Sequence, residues 1–422
     1  MKFRLLIVSV IFFAFFFACK KDKGLSQSQE FIKYFGSSSS SMGYDLKQTS
    51  DGGYIIVGST LISGADTNVF LVKTDAQGNK QWSNTYGGQN SSTGKSVQLL
   101  PGGGYVVLGT TYNGNDYDMY LIKTDANGKS LLGAQNIPAL AGKPDNQVGN
   151  CVQVTSDGKY FILAGSTDSL VGSNRIRTLL LIKVDVGGNL IWSKPSAVST
   201  LSQYGNCVQL VNDTTMFIIG NQNIAAGSSS YNLWPVVTFY GNNFNEQSSP
   251  PSLNGNPIID PNNSYNGTSG QIVRKSGNVD FIIVGTEGNN IYIGDVFDSI
   301  GSLSSSALPY LRKNGLIPGG YTKISNGNGT LTGNSIGLTS DGGYIIGGTI
   351  NNGGNNDQYL LKTDKAGNKM WDNSFGGSGA DDHGEAVIQT SDGGYAIVGY
   401  SAIGNNTVMT LIKVTSAGTL QK

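Results

Sequence analysis

The sequence predicts an all-β fold, a seven-bladed β-propeller of four-stranded antiparallel blades, and three observations predict it. One apolar line recurs seven times along the 422 residues. Sixty glycines accompany abundant Asn, Ser and Tyr and few charges, a composition of short strands and tight turns that leaves little room for helix. The C-terminal copy of the repeat stops one strand short, and the segment before the first copy has the pattern of that missing strand.

The recurring line is TSDGGYIIVGST at residues 49–60, which returns as TSDGGYAIVGYS at 390–401. Aligned on the closing glycine, the copies read YIIVG, YVVLG, FILAG, MFIIG, FIIVG, YIIGG and YAIVG. They end at Gly58, Gly109, Gly165, Gly220, Gly285, Gly348 and Gly399. Their spacing runs from 51 residues (Gly58 to Gly109) to 65 (Gly220 to Gly285). Propeller blades of about 40–50 residues are the β version of such a period.

Within a copy the elements follow in order. A first strand such as Lys95 to Leu100 leads to a PGGG or SDGG turn, whose glycines supply the positive φ of a hairpin. The apolar run YIIVG is a strand covered on both faces. After a loop comes a third strand, for example Val69 to Asp75, Leu180 to Asp185 or Tyr359 to Asp364. A second turn reads DAQGN, DANGK, DVGGN or DKAGN, with Asp accepting backbone hydrogen bonds and Gly in the left-handed position. The fourth strand carries Trp four residues after that glycine: Gly78 and Trp82, Gly188 and Trp192, Gly367 and Trp371.

After Gly418 the corresponding position is Lys422, where the last copy lacks its fourth strand. FIKYFG (Phe31 to Gly36) has the pattern of WSNTYG, with Phe31 at the Trp place. The ring is therefore expected to close by strand 31–36 joining the C-terminal blade beside Leu411 to Val414, leaving no open sheet edge.

D-x-x-G-x-x-x-W after an apolar strand resembles the PQQ-type propeller repeat family. SDGGYIIVG with KTDxxGN resembles the Kelch-like and SBBP-type propeller repeats of bacterial surface and secreted proteins. The resemblance covers roughly residues 31–422, with the fourth and fifth copies degenerate. It implies the fold and not an activity, because propellers host unrelated functions. A quinone cofactor would need metal-binding acids and a stacking tryptophan in the channel, and no such cluster stands in the sequence. No cofactor is expected.

The N-terminus sets the expected address. MKFR is a positive n-region, Leu5 to Ala18 is an apolar run too short to span a bilayer, and Cys19 follows. Phe16-Phe17-Ala18-Cys19 resembles the lipobox of bacterial lipoproteins, which implies cleavage before Cys19 and acylation of its thiol. Residues 1–18 are then a signal peptide, 19–30 an acylated cysteine with a polar tether, and 31–422 one propeller domain. The resemblance implies a lipid-anchored outer-membrane protein, on its periplasmic face or at the cell surface.

Twenty-eight basic and 28 acidic residues, without long runs of either sign after the N-terminus, argue against nucleic acid as a partner. The single histidine, His383, allows no zinc or triad arrangement. Its stretch GADDHGEA (Gly379 to Ala386) reads as a solvated turn; Asp381, Asp382 and Glu385 do not have the spacing of a calcium loop. Neither catalytic nor metal-binding residues are assigned, and an enzyme is not the expected class. The repeated lysines Lys73, Lys123, Lys183, Lys362 and Lys413 read as stems lying on apolar surface near a turn aspartate. Trp82, Trp192 and Trp371 read as blade-packing residues. Cys151 and Cys207 occupy the same place in adjacent copies, so their Cβ vectors run parallel and a pair of buried thiols is expected instead of a disulfide.

Two insertions depart from the period, Pro250 to Gly267 and Ala307 to Gly333. Insertions in repeat folds map to loops, often on the binding face. Tyr265, Tyr310, Arg312 and Tyr321 are accordingly the candidate ligand-binding residues. The expected function is a monomeric binding or interaction module for a glycan or an envelope protein. The alternatives are a scaffold in outer-membrane protein assembly and a hydrolase or lyase using the central channel, which carboxylates or Tyr and Arg groups converging there would favour.

Overall fold

The structure is a computed structural model. It describes residues 30–36, 39–88, 90–132, 135–137, 146–171, 174–196, 201–212, 215–223, 231–239, 265–275, 278–297, 310–311, 321–327, 329–377 and 379–420. The signal segment, Cys19 and Arg312 lie outside the described residues.

All described regular structure is β. The chain opens with β1 (Phe31–Phe35) and then builds sheets in sequence order. The first holds β2 (Ser41–Gln48), β3 (Tyr54–Ser63), β4 (Asp66–Thr74) and β5 (Lys80–Tyr86). The second holds β6 (Ser92–Leu99), β7 (Tyr105–Tyr112), β8 (Tyr117–Thr124) and β9 (Gln135–Ile137), and the third β10 (Gln147–Val154), β11 (Tyr160–Val171), β12 (Asn174–Asp185) and β13 (Leu190–Pro195). The fourth holds β14 (Gln203–Asn212), β15 (Thr215–Asn223) and β16 (Tyr231–Phe239). The fifth is β17 (Tyr265–Lys275), β18 (Asn278–Glu287) and β19 (Asn290–Phe297), edged by β20 (Tyr310–Leu311) and β21 (Tyr321–Ile324). The sixth holds β22 (Thr330–Leu338), β23 (Tyr344–Asn351), β24 (Asn356–Thr363) and β25 (Lys369–Phe375). The last holds β26 (Asp382–Gln389), β27 (Tyr395–Ile403) and β28 (Asn406–Val414), and β1 is its fourth strand. Phe31 pairs with Lys413 and Phe35 with Met409.

This is a propeller-like arrangement of antiparallel sheets. Each sheet shares a buried apolar layer with its successor, as Ile55 and Leu71 do with Val107 and Ile122. The first sheet packs in the same way on the last, through Leu46, Ile56 and Phe70 against Ala396, Val398 and Leu411. Strands two and three of the first sheet therefore lose solvent on both faces, which explains the unbroken YIIVG run: Ile55, Ile56 and Val57 have no exposed surface. Each such side chain contributes about 1.5–3 kcal/mol on burial.

The turns carry out their expected chemistry. Asp75 Oδ1 accepts the N–H groups of Gln77 (3.0 Å) and Asn79 (2.8 Å), and Gly78 takes φ 74°. Asp185 and Asp364 repeat the pattern. Gly78 also lacks room for a side chain, because a Cβ there would overlap the Phe31 ring; at Gly128 it would overlap Trp82 and at Gly418 Trp371. Phe31 thus packs on the first sheet as each of these tryptophans packs on the sheet that follows its own.

Two expectations need correction. Ala307 to Gly333 is not one loop: Tyr321–Ile324 pairs with Ile291–Gly294, Tyr310–Leu311 pairs with Val296–Phe297, and β22 begins at Thr330. The segment supplies the outer edge of the fifth sheet, whose β19 would otherwise end as an open edge. Nor is Gly379 to Ala386 a solvated turn, since β26 begins at Asp382. The alternation of small and polar residues in DHGEA fits a strand with a packed face.

Candidate functional site

Every sheet begins with a strand built on the same device. Gly43 of β2 pairs with Gly58 of β3, and the register then slips so that Asp45, not Tyr44, faces Val57. The slip recurs at Gly94/Ser96, Gly149/Cys151, Gly205/Cys207, Gly267/Ser269, Gly333/Ser335 and Gly384/Ala386. These are β-bulges, which bend the strand and re-aim one side chain. The paired glycine is required by close approach: a Cβ on Gly58 would overlap the carbonyl oxygen of Met42, and one on Gly399 that of His383. The most regular letter of the repeat is therefore what lets the bulge form.

The residue after the bulge is held in the wall. Asp45 Oδ2 accepts Val97 N–H (2.9 Å), Ser96 Oγ accepts Val152 N–H (3.3 Å) and Ser335 Oγ accepts Val387 N–H (3.2 Å), each reaching the next sheet. Cys151 Sγ takes the same role toward Val208 N–H at 3.3 Å. Both thiols are free and buried, with their sulfurs 3.8 Å apart.

The bulge residues themselves, Tyr44, Lys95, Asn150, Asn206, Asn334 and Glu385, line one cavity of about 540 Å³. Gln98, Gln153 and Gln209, three positions further along their strands, add amides to it. Asn150 and Asn334 each donate an amide N–H to the next sheet, to Gly205 O and Gly384 O at 2.8 Å.

Among the described residues, two pairs of charges share this cavity. Asp45 and Lys47 close on each other at 2.7 Å. Lys95 and Glu385 make no ion pair, and among the described residues neither has a hydrogen bond; the Lys95 ammonium lies 3.4 Å from the centroid of the Tyr44 ring. Burial pushes the Glu385 carboxyl up to about 7, with the Lys95 charge pulling the other way. Burial lowers the Lys95 ammonium, opposed by Glu385. Tyr44 and Tyr400 are both raised, by burial first and with a contribution from the Glu385 charge, Tyr400 to about 12. A half-buried carboxyl near neutrality beside an ammonium and a phenol can hold or release a proton at the cavity wall.

Of the residues singled out from sequence, Tyr265 opens β17, while Tyr310 and Tyr321 open the two short strands at the outer edge of the fifth sheet. That edge lies at the opposite side of the sheet order from the first strands that line the cavity elsewhere. His383 stacks on Tyr400, with ring centroids 4.8 Å apart. Among the described residues no group of three or more His, Cys, Asp or Glu side chains gathers as a metal site.

The cavity residues were missed because they follow the glycine of the first strand, not of the YIIVG line. Aligned there, the sequence holds Tyr44, Lys95, Asn150, Asn206, Thr268, Asn334 and Glu385. That column is polar in every copy and charged in two.

No protein-family model matches the chain, and no curated protein matches it in sequence. Solved structures are similar in shape only. The periplasmic gluconolactonase of Pseudomonas aeruginosa is 10% identical with a TM-score of 0.49, covering 91% of this chain and 98% of its own. The β-propeller domain of the Trilobed protease from Pyrococcus furiosus is 7% identical with a TM-score of 0.43, covering 90% and 99%. An α-L-arabinanase of Penicillium chrysogenum, solved with arabinobiose, is 10% identical with a TM-score of 0.46, covering 91% and 95%.

Proposed function

We propose that the chain is a seven-bladed propeller closed by β1, anchored through an acylated Cys19 to the outer membrane, and that it binds a glycan in the cavity at its centre. The observation that carries the reading is the cavity wall. Amide groups from Gln98, Gln153 and Gln209 line the wall with donors and acceptors, and Tyr44 offers an aromatic face, the groups that recognise a polyhydroxylated ligand. Sheets that follow one another in chain order, each packed on the next and the first on the last, support the ring.

The test is glycan-array binding by the full-length chain in detergent, compared with a Gln153→Leu, Gln209→Leu variant. Binding that falls in the variant supports the site. Unchanged binding moves the ligand to another surface, and no binding to any glycan turns the search to envelope proteins by crosslinking in intact cells. The grouping of Glu385, Lys95 and Tyr44 favours a second reading, a hydrolase or lyase acting in the same cavity. Under that reading, Glu385→Gln would retain ligand while product formation stops.

A further inference from the structure

We infer that the cavity selects a dipolar sugar, one carrying both an ammonium and a carboxylate, with Glu385 receiving the ammonium and Lys95 the carboxylate. The inference rests on the glycan reading and narrows it. Three consecutive sheets around the wall present Glu385 from β26, Tyr44 from β2 and Lys95 from β6, each at the unpaired position of its bulge. The other two charges described at the cavity satisfy each other: Lys47 holds Asp45 Oδ1 at 2.7 Å, and that carboxylate also accepts the N–H groups of Leu46 (2.8 Å) and Val97 (2.9 Å). Glu385 and Lys95 are left without a counter-charge in contact, the Lys95 ammonium lying over the Tyr44 ring instead.

A half-buried charge without a partner is unfavourable, and a ligand group of opposite sign relieves it. A neutral sugar can hydrogen-bond to both groups but brings a counter-charge to neither. A sugar with one charge would satisfy one and leave the other. A ligand bearing both signs supplies a counter-charge to the two together, while its hydroxyls meet the amides of the wall. The raised Glu385 carboxyl and lowered Lys95 ammonium agree with this, since each is the response of a charge that lacks a close counterion.

The experiment is calorimetric titration of the full-length chain in detergent at about pH 7.5, where a carboxyl of such affinity is mostly ionised. The probes are muramic acid, which carries an amine and a carboxylate, glucosamine with the amine alone, glucuronate with the carboxylate alone, and neutral N-acetylglucosamine. Muramic acid is expected to bind about tenfold or more tightly than any other probe, as truncating one charge of a buried pair weakens binding by at least that factor. Glu385→Gln and Lys95→Gln, each checked for parental circular dichroism and a single cooperative melt, should both abolish the preference. If muramic acid is still preferred in both variants, the assignment to Glu385 and Lys95 is overturned. Neutral N-acetylglucosamine binding as tightly as muramic acid overturns dipolar selection and leaves the glycan reading standing. If none of these sugars binds while the glycan array is positive, the dipolar inference alone fails; if the array is also blank, both readings fail.

Discussion

Glu385 sits where a bulge turns it into the cavity, close enough to Lys95 to feel its charge and too far to be neutralised by it. Burial is the larger influence, so the carboxyl should titrate at about 7. Carbon-13 NMR of labelled glutamate would show one side chain with that midpoint. Lys95→Met removes a nearby positive charge and should move the midpoint higher; an unmoved midpoint would mean the two groups do not share a cavity. The sign for stability follows from the same shift. The folded carboxyl holds its proton more tightly than the unfolded one, which ionises near 4.3, so its contribution falls as pH rises from there through about 7. Glu385→Gln should therefore raise the melting temperature at pH 8 and leave it unchanged at pH 4. None of this is legible in GADDHGEA as a string, where three acids in five residues look like solvated surface. What the string lacks is the bulge, which separates Glu385 from Asp381 and Asp382 by turning it inward.

Each hairpin of the SDGG type is locked by a lysine from the third strand of its own sheet. Lys73, Lys362 and Lys413 bury their ammonium groups and pair with Asp51 (2.7 Å), Asp341 (2.9 Å) and Asp392 (3.0 Å). The lysine stems and a turn aspartate near them were readable, but which aspartate was not, because it lies about 21 residues earlier across two strands. Lys362 also donates to Thr363 O at 2.7 Å. Lys362→Met would leave that buried carbonyl without its donor, at a cost of about 1–3 kcal/mol in urea denaturation. In Asp51 and Asp341 burial would raise the carboxyl, but the lysine, the neighbouring threonine hydroxyl and a backbone N–H together hold each at about 2. Their stabilisation is present above the unfolded value near 4 and should be lost as pH falls from about 4 to about 2. Asp341→Asn should flatten the acid limb of a melting-temperature profile; a limb of unchanged slope would show that the lock does not carry it. The strands and turns of these sheets were legible because each repeats several times over. The Gly43–Gly58 pairing was not, since its cause is a carbonyl on another strand.

At the scale of the molecule the decisive contact is between its two ends. β1 pairs with β28 over five residues, Gln48 accepts Ser391 N–H at 2.8 Å, and Phe31 meets Tyr54 edge-on with centroids 6.2 Å apart. Trp82 on Tyr105 (6.0 Å) and Trp371 on Tyr395 (5.6 Å) are the same contact between other neighbouring sheets. FIKYFG could be matched to WSNTYG from sequence because Phe31 takes the place of Trp in a contact that tolerates either ring. If the seven sheets form a ring closed by β1, the end-to-end contact supports the whole domain, not one edge of it. Deleting residues 31–36 would leave one edge of β28 unpaired and uncover the aromatic face over Tyr54 and Gly78, and the domain should melt in one transition at a markedly lower temperature. Two point variants separate closure from simple edge trimming. Phe31→Ala removes the partly buried ring that joins the first and last sheets and should cost about 1–3 kcal/mol. Tyr34→Ala, on the same strand but 52% exposed, should stay within about 0.5 kcal/mol. Equal and small effects from both, or an unchanged melt after deletion, would mean that β1 meets β28 without stabilising the rest of the domain.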